Sequence, residues 1–182
     1  LDRWEPEPTR LTVMALIWGG SAGVIFSFLV EMAIPASEFV TMAIVAPLAE
    51  ELAKASVFIL VATGARKLEL TSLTDHIFYA GICALGFAFV ENLGYFALSS
   101  SAGEFVVMTL VRTGFGVFGH PLYTTATAVG MWAWRNKGGF WKVILGYVVA
   151  CLLHGLWNGG PALLADSLTH DEIGQLVTMV LV

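Results

Sequence analysis

The chain has 182 residues, 57% of them hydrophobic and only 13% charged, and its formal net charge is −5. A soluble domain carries about a quarter charged residues, so this composition excludes an ordinary water-solvated globule and points to lipid as the solvent. Nine Lys and Arg against 14 Asp and Glu leave no basic footprint for nucleic acid. Cys83 and Cys151 lie in apolar runs without zinc-finger spacing and read as free, buried thiols.

Five apolar stretches follow one another, at 11–34, 38–64, 75–99, 104–134 and 140–165. Each exceeds the ~20 residues a helix needs to cross a bilayer. Each must be helical, because a backbone in lipid has to satisfy its own hydrogen bonds. A sixth apolar run opens near Ile173 and stops at Val182, too short to span. Together with a first residue Leu1 and no signal peptide, this reads as a fragment whose sixth span is truncated. The expectation is an all-α, polytopic transmembrane helix bundle of at least five spans, forming one domain over residues 1–182.

The breaks carry an orientation signal. Seven of the nine cations (Arg3, Arg10, Arg66, Lys67, Arg135, Lys137 and Lys142) lie in or at the edges of the N-terminal arm and the second and fourth breaks. The alternate breaks carry Glu38, Glu104, Asp166, Asp171 and Glu172 instead. The positive-inside rule then places the N-terminal arm in the cytoplasm. Trp4, Trp132, Trp134 and Trp141 flank the same ends, as an interfacial belt would. Gly19 with Gly23, and Gly155 with Gly159, form GxxxG pairs that let helices approach closely.

The remaining cations, Lys54 and Arg112, fall inside spans, as do Glu50, Glu51, Glu91, His120 and His154. One charge at the bilayer centre costs roughly 2.5–3.5 kcal/mol, so these groups must face one another, a metal or water. At 100° per residue, Glu50, Glu51 and Lys54 share one arc, with Pro47 a turn earlier. Glu91 and Tyr95 continue a stripe from Ala84, Phe87 and Ala88, with Asn92 at its edge. Arg112, Gly116, His120 and Tyr123 fall within about 80° of a continuous helix. His154 and Asn158 stand one turn apart. Counted from span ends, four helices offer polar groups at one depth.

Carboxylates and imidazoles converging in an apolar medium suit hydrolysis. A catalytic zinc takes three protein ligands and lowers the pKa of coordinated water to about 7. The HExxH signature is absent, so a metal site would be assembled from several helices. A Glu supported by His and Asn can also activate water without a metal, and residue types alone admit both routes. No Ser or Cys has the partners of a nucleophile.

These motifs resemble the PrsW-type intramembrane proteases, relatives of the CAAX prenyl endopeptidases and bacteriocin-immunity-type membrane proteases. The matching segments are Glu50-Glu51-Leu52-Ala53-Lys54, Phe87-Ala88-Phe89-Val90-Glu91-Asn92, Arg112 with His120, and His154-Gly155-Leu156-Trp157-Asn158. The N-terminal stretch LDRWEPEP also resembles the family's segment before its core. CAAX-type relatives have His at the position of Glu91, which favours the PrsW branch. The resemblance implies an intramembrane endopeptidase, multi-pass in a prokaryotic cell membrane, acting on a membrane-anchored protein such as an anti-sigma factor. It implies Glu50 and Glu51 as the water-activating base, without choosing between them. It further implies Glu91, His120 and His154 as ligands of Zn2+, Asn158 as the oxyanion donor, and Lys54 and Arg112 as charge-tuning groups. Two competing readings, a proton-coupled transporter and a non-catalytic membrane scaffold, use the same buried charges differently.

Overall fold

The structure, a computed structural model, describes residues 7–63 and 70–167, and these are helical with no strand among them. Helix α1 is Thr9–Ala33. Helix α2 covers 38–55, and the short α3 is Val57–Thr63. Helix α4 is Leu73–Leu98, α5 covers 102–116, α6 is Gly119–Lys137 and α7 is Trp141–Ser167. The expected truncated sixth span lies outside the described residues.

Among the described residues, four helical stretches are long and apolar enough to cross a membrane: Thr9–Ala33, Leu73–Leu98, Ala102–Lys137 and Trp141–Leu163. The second of the five expected stretches is a helix pair instead. It breaks at Ser56, whose hydroxyl donates to Ala53 O at 2.5 Å and accepts from Trp18 Nε1 at 2.8 Å. It also carries Glu50, Glu51 and Lys54 on its inner face.

Polarity is turned inside out. Lys54 and Glu51 are 0% exposed, while Leu156 is 67% and Ile59 66% exposed. On α2, Leu48 and Leu52 face outward and Ala46, Pro47, Ala49, Glu50, Glu51, Ala53 and Lys54 face inward. This suits a hydrocarbon solvent, in which apolar side chains gain nothing by burial and charges must be sequestered. An apolar core of Ala15, Val57, Phe58, Val61, Tyr79, Ala80 and Cys83 gathers α1, α3 and α4 beside the buried charges.

Close backbone approach at glycines also joins the helices, as expected where lipid is as apolar as Leu. A Cβ on Gly19 of α1 would run into the Cys83 carbonyl of α4, and one on Gly86 into the Leu16 carbonyl. Gly130 and Gly146 do the same between α6 and α7. Of the two GxxxG pairs, Gly155 and Gly159 both press on Ala43, whereas a Cβ on Gly23 would meet Phe87 at an ordinary 3.4 Å. Gly138 and Gly139, with φ of 63° and 82°, turn the chain from α6 into α7 in a region that favours glycine. Helix α4 starts with a Ser72–Asp75 capping box, and α5 is capped by Ser101.

Among the described residues, three wide π-turns interrupt the helices, at Gly19–Gly23, Thr41–Val45 and Arg112–Gly116. The second has a visible cause. Ala46 N–H donates five residues back to Thr41 O, and Pro47, next in line, has no N–H to offer Met42 O. Asn158 of α7 fills that vacancy, its Nδ2 donating to Met42 O at 3.2 Å. Tyr147 OH donates to Leu48 O at 2.7 Å and Cys151 Sγ to Pro47 O at 3.6 Å. A row of α7 side chains thus supports the stretch of α2 just before Glu50.

Candidate active site

Four helices bring the buried charges into one network. Lys54 Nζ donates to Glu50 Oε2 at 3.2 Å and Glu51 Oε1 at 2.9 Å, and lies 2.7 Å from His120 Nδ1. It also stands 4.3 Å from the centroid of the Phe87 ring. Glu51 Oε1 faces His154 Nδ1 at 3.1 Å, and its Oε2 accepts the Thr124 hydroxyl at 2.8 Å. Glu91 Oε2 receives Arg112 Nη2 at 2.7 Å and His120 Nε2 at 2.9 Å. Arg112 is further fixed by Asn92 Oδ1, 2.6 Å from its Nε, and by stacking 3.6 Å above the Tyr95 ring.

These partners set the imidazole tautomers. An ammonium can only donate, so His120 Nδ1 accepts from Lys54 and His120 Nε2–H points to Glu91. His154 Nδ1–H points to Glu51, leaving its Nε2 lone pair free. Both nitrogens lie near Glu50, with His120 Nδ1 and His154 Nε2 each 3.8 Å from Glu50 Oε2. The two rings meet edge to face at 4.9 Å, and Tyr123 stacks on His154 at 5.1 Å.

The donor chemistry fits a metal ion of the zinc type. One ligand atom from each of Glu50, His120 and His154 lies within 4.8 Å of the others, and all three residues are buried. Each imidazole carries a carboxylate on its opposite nitrogen, Glu91 behind His120 and Glu51 behind His154. That backing orients metal-ligating histidines and raises their basicity. Glu50, rather than Glu91, completes the group of three. Glu91, expected among the ligands, sits on the far side of His120 and is engaged with Arg112.

A cavity of about 430 Å³ reaches this network, lined by Ser27, Glu31, Glu38, Thr41, Glu50, Phe87, Glu91, Tyr95 and Asn158, among others. Glu38 at its rim is exposed, while Glu50 at its floor is 5% exposed. All six expected site residues are therefore together: Glu50, Glu51, Glu91, His120 and His154 in the network, and Asn158 in the cavity wall. Thr124 and Glu31 are additions. A threonine in an apolar span carries no signal of its own, and Glu31 stands close to the end of the first apolar stretch, where a charge costs little.

The family profile described as PrsW family intramembrane metalloprotease matches residues 7–182. No curated protein and no solved structure matches the chain. The match covers nearly the whole chain and agrees with the apolar helices around a buried, hydrolytic-type cluster. The chain is an integral membrane protein belonging to the PrsW family of intramembrane proteases.

Proposed function

We propose that the cavity hydrolyses a peptide bond of a membrane-anchored protein, with Glu50 as the carboxylate at the reacting water. The observation that carries this reading is the convergence of His120 Nδ1 and His154 Nε2 on Glu50 Oε2 at the floor of a polar cavity inside an apolar bundle. Where no ion is bound, Glu50 takes the proton of water entering along Glu31 and Glu38. The imidazoles stand where that proton can be passed to the departing amine. Asn158 uses one Nδ2 hydrogen on Met42 O and has a second for a carbonyl oxygen that gains charge. Glu51 and Glu91 orient the imidazoles, and Lys54 and Arg112 offset the carboxylate charge.

Zinc is the metal we propose, held by Glu50, His120 and His154. Bound there it would supply a Lewis acid that polarises the scissile carbonyl. With Glu50 committed to an ion, Glu91 remains the cavity-lining carboxylate able to take a proton. A second reading, without metal, is favoured by Lys54 itself, since its ammonium already pairs with both Glu50 and Glu51. An anti-sigma-factor-like protein is the substrate class the family resemblance suggests, and the cell membrane of a prokaryote, with the N-terminal arm inside, is the proposed setting.

The test is cleavage of a single-pass test protein in proteoliposomes. Wild type should cut it, and Glu50→Gln, Glu51→Gln and His154→Ala should not. Full cleavage by these variants would overturn the mechanism. Flux driven by a pH gradient, with no cleavage, would point to a transporter. Loss of cleavage on chelation, restored by zinc, separates the metal reading from the metal-free one.

A further inference from the structure

We infer that Lys54 and a divalent metal ion are alternative occupants of one seat, so that Lys54 limits how tightly the site can hold metal. The inference rests on the proposed ligand group of Glu50, His120 and His154. Two of those three donors are already in use. The His120 Nδ1 lone pair lies 2.7 Å from Lys54 Nζ, and Glu50 Oε2 accepts from the same ammonium at 3.2 Å. A nitrogen lone pair cannot serve an N–H donor and a metal ion at once.

Charge gives a second, independent argument. Glu50, Glu51 and Glu91 are matched within the network by Lys54 and Arg112, leaving a formal −1. A divalent ion beside Lys54 would take the sum to +1, with like charges a few ångströms apart inside an apolar bundle, where they repel strongly. The ion alone, without the Lys54 charge, would bring it to zero.

Lys54 also has somewhere to go. Its third contact, to Glu51 Oε1 at 2.9 Å, and the Phe87 ring beneath it lie outside the three-donor group. Withdrawal onto Glu51 would free both donors while keeping the ammonium paired. Lys54 is therefore a positioning residue with a second effect: it holds His120 in its accepting tautomer and excludes metal while it does so.

The experiment is zinc titration of the purified full chain in lipid nanodiscs, read by competition with a chelating dye and by zinc-induced thermal stabilisation. Lys54→Met should bind zinc at least tenfold tighter than wild type and gain the larger thermal shift. Adding His154→Ala to Lys54→Met should erase both gains. Equal or weaker zinc binding by Lys54→Met, still sensitive to His154→Ala, would overturn the competition while leaving the ligand group standing. Zinc binding by neither protein would overturn both. Lys54→Gln, which keeps a hydrogen-bond donor without the charge, is the second variant. Failure of both variants to fold in saturating zinc would also overturn the inference, because an ion able to take the seat would restore the lost charge.

Discussion

Thr124 donates its hydroxyl proton to Glu51 Oε2 at 2.8 Å, and both side chains are fully buried. The other oxygen of Glu51 meets Lys54 and His154. Thr124 therefore fixes the rotation of the carboxylate that orients His154. Partners of this kind are worth about 10–100-fold in activity. Thr124→Val should lower kcat by about tenfold with KM little changed, and Thr124→Ser should restore it. Steady-state cleavage by the three proteins checks this, and an unaltered kcat in Thr124→Val would remove the role.

The two adjacent glutamates should separate by stability. Glu50→Gln removes the proposed base, a loss of about 10²–10⁴ in rate. It should leave thermal unfolding close to wild type, since it also relieves repulsion from Glu51. Glu51→Gln disturbs three buried partners at once, Lys54, His154 and Thr124, whereas Glu50 is held by Lys54 alone among the described residues, and breaking a buried pair costs about 3–5 kcal/mol. Its melting temperature should fall well below that of Glu50→Gln. Equal melting temperatures would mean that Glu51 is not the structural member of the pair.

Arg112→Lys should not rescue Arg112→Met. The guanidinium uses Nε on Asn92, Nη2 on Glu91 and its flat face on Tyr95, which an ammonium cannot reproduce. Both variants should lose activity by about 10–100-fold, because Glu91 is the carboxylate behind His120. Near-normal cleavage by Arg112→Lys would show that charge alone suffices.

Glycine substitutions should divide by what lies opposite. Gly19→Ala and Gly86→Ala drive a Cβ into backbone carbonyls that cannot swing aside. Overpacking of this sort costs about 1–3 kcal/mol or more. Gly81→Ala and Gly94→Ala meet nothing within 4 Å. They should hold or raise stability, since alanine is the better helix former by up to about 1 kcal/mol. Thermal unfolding of the four variants in one detergent decides the point.

The buried cluster was legible because Glu50, Glu51, Lys54, Glu91, Arg112, His120 and His154 are expensive where they stand, and only mutual contact removes the expense. Which carboxylate faces which imidazole was not legible. A helical wheel assumes 100° per residue from Arg112 to His120, yet the chain inserts a π-turn at Arg112–Gly116 and a turn at 117–118. Both residues still reach Glu91, but by a path the wheel does not describe. The break at Ser56 was hidden for a related reason. Hydropathy sees an apolar run from 38 to 64, whereas the bond from Trp18 to Ser56 joins residues 38 positions apart. Gly86, Gly130 and Gly146 lack the GxxxG spacing, so their close contacts gave no local signal.

The π-turn at Thr41–Val45 makes chain length a property of the site. Removing one residue from that turn would let α2 close into regular helix, and everything beyond it would rotate by about 100°. Glu50 would swing out of the cavity that it now lines. Every motif would survive such a deletion in the sequence, letter for letter, while the cluster came apart. Reading PrsW-type chains for this cluster therefore calls for counting the residues that lead into the glutamate pair as well as finding the pair itself.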